Sequence, residues 1–388
     1  MDSFTYSSLQ SEYDDFADPL AVIKVNDKDL RENKNGLTVT DIEVDLTCGF
    51  DAGQAAFSLM DCYDMIKTQF EYDKVKDYII LGSPVVIALG YNMKAREVFR
   101  GVIVRTEFVI DDMAPPHVRV TAMDVKAIMM ANHYHKRLSA ANYSGAIKEI
   151  FNQSAYSDLQ GEDGVITSLK ISSTPDAMDM DDMGETDTTI EMVGESDYEF
   201  IVRAAKRFNF EFYCIGGTVL FREARGDTTT LLELSNDTRV FNMNVAYDVT
   251  GLVGKVTVRG LDPGKAKVVE STLRHNLKIS AKSSAKSLIK DSQYVYVDPT
   301  VTSKSDAQQR SFYLYDTMSY RFGSLDMEIM GLPEIIPGRF IQVSNYGTAA
   351  SNQFYVTAVH HRLDSTGQYT SRIVGQAQKL LTDLSDLL

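Results

Sequence analysis

Histidine and cysteine are the scarcest reactive side chains in this sequence, with six and three copies, so their spacing decides which chemistry they can do. His133 and His135 stand two apart and would face one side of a strand; His360 and His361 sit in a second strand-like run. Zinc needs a third and usually a fourth ligand at compatible spacing, and no HExxH, CxxC or Cys–His cluster supplies one. These histidines therefore read as surface or interface residues. Cys48, Cys62 and Cys214 are widely spaced and odd in number, which fits reduced thiols rather than a disulfide framework. In the acidic run PDAMDMDDMGETD, Asp179, Asp181 and Gly184 match positions one, three and six of an EF-hand loop. Met183 and Ile190 then fall where the fifth and twelfth positions need oxygen ligands. The run from Asp176 to Asp187 is thus expected to be a solvated loop without tight calcium binding. Nucleophile-elbow, Walker A and dinucleotide motifs are absent. With 54 acidic residues, spacing alone cannot single out a carboxylate pair for glycoside cleavage. The aromatics between Phe210 and Phe221 offer either sugar-stacking faces or, as is commoner, core packing. No catalytic residue, cofactor-binding residue or metal ligand is expected.

The elements that would position such groups are clearest from Glu195 to Glu223. Ser196 is a good N-cap and Glu199 completes a capping box. Phe200, Ile201, Ala204, Ala205 and Phe208 recur at helical spacing, and Asn209 is a plausible left-handed stop. The period then switches to two, and Gly216-Gly217 supplies the positive-φ residues of a tight hairpin. A helix packed on its own hairpin follows. Upstream, residues 1–20 read as a mobile or partner-bound arm. Short strands then alternate with turns, as in Ile42, Val44 and Leu46 interleaved with acids. Met60 to Lys76 has room for a short helix. AIMMANHYHKRL reads as helical, and Ser144 is placed to cap AIKEIFNQS. Downstream, Ser305 with Gln308 makes a second capping box for a helix reaching about Phe322.

An internal repeat also emerges. Gly82 precedes Val85, Ile87, Phe99 and Ile103; Gly338 precedes Ile341, Val343, Tyr355 and Val359 at the same offsets. Two copies of one β unit around an α+β insert is the economical reading. At 388 residues the chain has ample surface to bury. Its net charge of −15 disfavours sequence-specific nucleic-acid binding. The polar, acidic start lacks a signal-peptide pattern, and no run is long and apolar enough to span a membrane. Synthesis and folding in a bacterial cytoplasm are expected.

Residues E-S-D, an aromatic, F-x-x-R and an aromatic-rich strand resemble the phage late control protein D family, which includes the tail-hub part of the type VI secretion valine-glycine repeat spike protein. The strand pattern with Phe-x-Gly-x-Ile at Phe99, V-x-V-R-G at Val256 and the following D-P-x-x-K are similar to the same family. The family segment usually carries Gln before E-S-D, where this chain has Val193-Gly194. The resemblance implies a mainly β fold: two similar tube-protein-like β-barrels, 21–125 and 236–376, flanking a small α+β domain at 126–235. The second barrel would carry an inserted helix, 305–322, and a tail would follow at 377–388.

It also implies a structural, non-enzymatic baseplate hub of a contractile injection particle, whether phage tail, bacteriocin or toxin injector. The hub would be a homotrimer adapting a sixfold tail tube to a threefold spike, assembled into a virion or extracellular particle. Its partners would be the tail tube protein, a separate spike polypeptide (expected because the sequence stops at Leu388) and other baseplate or tape-measure components. The passage through the ring is expected to be acidic or neutral. In the tail, Leu380, Leu381, Leu384, Leu387 and Leu388 share one helical face, suited to capping the chain's own core or docking on the spike. A component of a tail-associated cell-wall hydrolase and a carbohydrate-binding module are the alternative functions.

Overall fold

Alternating apolar and polar residues put most of the chain into strands, and capped amphipathic segments supply the few helices. A computed structural model describes residues 3–112, 114–175, 190–274 and 282–379. The acidic loop at 176–187 and the leucine-rich tail at 380–388 lie outside the described residues. In chain order, helix α1 (Tyr6–Glu12) is followed by β1 (Pro19–Val25), β2 (Thr38–Thr47), β3 (Gln54–Met60), β4 (Pro84–Tyr91), β5 (Lys94–Val109) and β6 (His117–Met123). A middle region holds β7 (Tyr134–Leu138), α2 (Tyr143–Phe151), β8 (Ile190–Glu195), α3 (Asp197–Phe208), β9 (Phe210–Ile215) and β10 (Thr218–Glu223). Then come β11 (Thr230–Leu234), β12 (Val240–Tyr247), β13 (Lys255–Asp262), β14 (Lys267–Arg274), β15 (Gln293–Val297) and α4 (Lys304–Ser319). Strands β16 (Gly323–Met330), β17 (Phe340–Val343), β18 (Asn352–Leu363) and β19 (Tyr369–Ala377) finish the described chain.

The fold is mainly β with an α-containing insert, as expected. Two five-stranded units have the same neighbour order and the same antiparallel senses. The first runs β4-β5-β6-β3-β2 and the second β17-β18-β19-β16-β12. The units join edge to edge, because β2 pairs with β18 from Thr47↔Ala358 to Ile42↔Leu363, making one 14-stranded sheet. They also share one core. Val44, Phe57 and Ile87 of the first unit are buried in the same apolar cluster as Met327, Ile341 and Val356 of the second. Each such side chain contributes roughly 1.5–3 kcal/mol on burial, so neither unit can keep its inner face dry alone. The two units differ at their flanks, where β1 adds antiparallel to β4 but β11 adds parallel to β17.

Residues 1–20, expected as a mobile or partner-bound arm, pack on the chain's own core instead. Tyr6, Leu9, Tyr13 and Phe16 are buried there, and Tyr13 donates its phenol to buried Glu334 at 2.5 Å. The alternation of aromatics with small polar residues had disguised an amphipathic turn capped by Thr5.

In the middle region α3 starts on the Ser196–Glu199 capping box and stops at left-handed Asn209, φ 57°. The helix α2 is capped by Asn142 and not by Ser144. The Asn142 carboxamide accepts from Gly145 at 2.8 Å, while the Ser144 amide bonds Thr174. The run expected to be helical before it makes one turn at Lys126–Met129 and then becomes β7, because its partner β8 claims the backbone. The second capping box lies at Ser303–Asp306, two residues before the expected one. Its helix α4 belongs to residues 248–322, an insertion between β12 and β16 where the first unit has only a short loop between β2 and β3.

Lys126 ties the first unit to the middle region. Its ammonium is fully buried, donates to the carbonyls of Gly49, Phe50 and Asp51 (3.4, 3.3 and 2.7 Å) and lies over the Phe212 ring. Asp124, also buried, accepts from the amides of Gly53 and Lys126. Burial pushes the Asp124 carboxyl up, and the charge of Lys126 opposes that shift.

Gly338 ties the second unit to the same region. Its φ is +80°, and a Cβ there would lie 2.1 Å from the buried Tyr213 hydroxyl oxygen. Gly82 has φ +83° with open space around it. Gly338→Ala is therefore expected to destabilise by about 2–5 kcal/mol, from backbone strain plus overpacking, and Gly82→Ala by about 1–2 kcal/mol from strain alone. Urea midpoints of the two variants check this; equal shifts would mean that Tyr213 moves aside freely.

Candidate functional site

The side chains singled out for chemistry do not converge. His133 and His135 are both exposed, His133 just ahead of β7 and 3.7 Å from Glu199. On β18, adjacent residues point to opposite faces. His360 faces outward and bonds Asp45 of β2 at 2.6 Å, which raises its pKa. His361 faces the core and bonds the Ser371 hydroxyl at 2.9 Å; burial lowers its pKa to about 4. The three cysteines are free and buried, and burial pushes the Cys48 thiol up to about 12. Among the described residues no group of three or more His, Cys, Asp or Glu could hold a metal ion. The hairpin aromatics Phe212, Tyr213 and Phe221 are buried, so they pack rather than offer stacking faces.

A polar cleft of about 470 Å³ lies between α3 and the insertion, lined by Arg203, Lys206, Arg207, Asp298, Asp306 and Arg310. Its charges largely cancel: Arg207 pairs with Asp306, Arg310 with Asp298 at 3.1 Å and Arg203 with Glu195 at 2.6 Å. Burial, with help from Arg310, lowers the pKa of Lys206, whose ammonium lies over the Phe50 ring. Nearby, Arg225 bonds Asp316 and stacks on Tyr320, while Tyr355 donates to buried Glu211. These groups fasten the middle region to the second unit and its insertion.

What the fold does position is a large strand surface. The outward face of the joined sheet carries paired charges: Arg119–Glu43 at 2.7 Å, Arg372–Asp326 at 2.7 Å, Arg105–Glu107 at 2.6 Å and His360–Asp45. Opposite charges alternate there, so the face is polar without a strong field of either sign.

The internal repeat is exact in its backbone bonding. The Gly82 amide donates to Ile103 and the Ile103 amide returns to Ser83; the Gly338 amide donates to Val356 and the Val356 amide returns to Arg339. Sequence offsets align Ile103 with Val359, whereas the hydrogen bonds align it with Val356. The first half of the repeat, Val85 with Ile341, keeps its offset, but the second hairpin is three residues shorter. Directly after the aligned residues, β5 and β18 each carry a register break, at Val104 and Thr357. The edge beyond that break is where β18 receives β2. Sequence reasoning missed this seam; the only signal for it was the exposed-acid alternation of β2.

A family model, that of the Alg8 N-terminal domain, matches residues 21–365. No curated protein matches the chain in sequence. Among solved structures, a tail protein from Neisseria meningitidis MC58 is similar at TM-score 0.64 and 10% identity, over 93% of this chain and 97% of that one. The prophage MuSo2 43 kDa tail protein from Shewanella oneidensis is similar at TM-score 0.65 and 13% identity, over 92% and 98%. An E. coli component of the type VI secretion system, described as similar to T4 bacteriophage tail proteins gp27 and gp5, has TM-score 0.54 and 10% identity, over 91% and 76%. The chain shares the fold of these tail and secretion proteins. Among the described residues no helix is long and apolar enough to cross a membrane.

Proposed function

The chain belongs to the Alg8 N-terminal domain family, and we propose that it is the structural baseplate hub of a contractile injection particle. Three copies form a ring whose six like β units face the end of a sixfold tail tube, while the insertions, one per copy, keep the other features threefold. The spike and the tube are its partners, and catalysis has no part in this work. The observation that carries the reading is the pair of five-stranded units with identical strand order in one chain. A symmetric trimer needs that duplication to meet a sixfold partner, and a closed ring leaves no interface unsatisfied. The fold shared with tail proteins supports it. In this reading the charge-paired outward face lines the passage, where cargo meets neither a basic nor an acidic trap.

Mass photometry of the full chain tests the assembly, with a trimer as the expected mass. Electron microscopy of isolated tail tubes mixed with the protein tests the partner, and single caps at one tube end are expected. A chain that stays monomeric at high concentration and leaves tube ends bare would overturn the reading.

A further inference from the structure

Resting on the trimeric reading, we propose that the free edge of β5 over residues 105–110 pairs antiparallel with the free edge of β12 in a neighbouring copy. This reproduces between molecules the β2–β18 seam found within one. Four observations lead here. First, β2 corresponds to β12 and β5 to β18, by strand order and by the matching bonds around Gly82 and Gly338. Second, β2 fills the edge of β18 beyond its break, whereas among the described residues no strand pairs with the corresponding edge of β5, nor with the outer edge of β12. Third, exposed apolar side chains gather at these open edges. Phe108 is 48% exposed, Ile110 62% and, on β12, Phe241 48%. A long strand edge with apolar residues is a template for another strand, and folds that keep one open without a partner usually blunt it with charge or proline.

The fourth observation fixes the register. Both β2 and β12 break step with their inner neighbours, at Thr40/Glu43 and Val240/Asn242. Aligned on those breaks, Val44 corresponds to Met243 and Asp45 to Asn244, and Val44 and Met243 both pack on the shared core. The internal pair His360↔Asp45 then becomes Glu107↔Asn244 between copies, and His361↔Val44 becomes Phe108↔Met243. The chemistry suits the positions. The Glu107 carboxylate, already bonded by Arg105, meets a neutral carboxamide that can donate to it, and Phe108 meets a thioether side chain. Each copy offers one β5 edge and one β12 edge, so the contact is heterologous and every edge is used once a ring closes.

Disulfide trapping in the full chain tests the seam. The native thiols are buried, so a Glu107→Cys, Asn244→Cys double variant oxidised with diamide reports on the new pair. An Asp45→Cys, His360→Cys variant serves as the internal control at the homologous seam. The expected result is a covalent trimer as the main species on a non-reducing gel from the first variant. The control should give an intramolecular bond only, and either single variant no crosslink. A 107–244 pair that stays reduced in particles of trimer mass, with the control closed, would overturn the seam while leaving the hub reading intact. A crosslinked dimer from Glu107→Cys alone would overturn it in favour of β5 pairing with β5. A monomer without crosslinks would reject the seam together with the trimer.

Discussion

Replacing Lys126 by methionine is expected to cost the fold about 3–5 kcal/mol, the penalty for removing one partner from a buried charged cluster. The ammonium donates to three carbonyls in the loop after β2, and methionine leaves all three without a donor in a site closed to water. It also strips Asp124 of the positive charge that offsets the cost of its burial. Methionine matches the length of the stem, so the loss reflects hydrogen bonds and charge rather than a cavity. The double variant Lys126→Met with Asp124→Asn is expected to be more stable than Lys126→Met alone. Asparagine carries no charge, and its carbonyl oxygen still accepts from the Gly53 amide. Urea unfolding of the three proteins measures both effects. A shift below 1 kcal/mol for Lys126→Met would mean that the loop re-solvates and the ammonium is dispensable.

The second large effect is acid sensitivity centred on His361. A histidine held near pKa 4 in the fold and near 6.5 when unfolded leaves stability untouched above pH 6.5. Between 6.5 and about 4 the unfolded chain takes up a proton that the folded chain refuses. Stability therefore falls as pH falls, by about 1.4 kcal/mol per pH unit. His361→Gln keeps a side chain able to bond Ser371 and should remove this component. Its stability relative to the parent should rise by about 3 kcal/mol from pH 7 to pH 4. His360 works in the opposite sense. Its raised pKa gives stability that is complete below pH 6.5 and lost as pH rises through the folded value. His360→Gln should therefore steepen the acid limb. Chemical denaturation across pH for both variants separates the neighbours; parallel curves for parent and His361→Gln would mean that the buried imidazole is already charged.

These pairs also show how much was legible in the sequence. The α3 helix was readable to the residue, because a capping box, an apolar stripe and a left-handed stop all lie within fourteen consecutive residues. The duplication was readable as spacing, since both copies keep a glycine before an alternating strand. Its second half slipped by three residues because a hairpin loop can shorten without changing the apolar period. The opposite fates of His360 and His361 followed from strand alternation only once it was known which face β2 covers. Lys126 gave no local sign of burial, because its carbonyl partners lie 75–77 residues away. The N-terminal residues misled for a related reason: four aromatic or aliphatic side chains among acids look solvated until the surface that receives them is known. Local bonding is written in neighbouring letters, while seams between distant strands are written in register.

The insertion between β12 and β16 has a consequence for how such a chain can diversify. Its two ends leave the sheet at Tyr247 and Gly323, which are themselves a paired couple at the end of the β12–β16 ladder. Evolution could therefore lengthen an ancestral hairpin here to residues 248–322 without disturbing one rung of the ladder beneath. The other copy of the unit kept its short loop, preserving the original geometry as a reference while its twin experimented. Such a duplicated scaffold is a natural grafting point. Any module whose ends meet at hairpin distance can be exchanged at this position, and lineages can change what they display while inheriting the same closed frame.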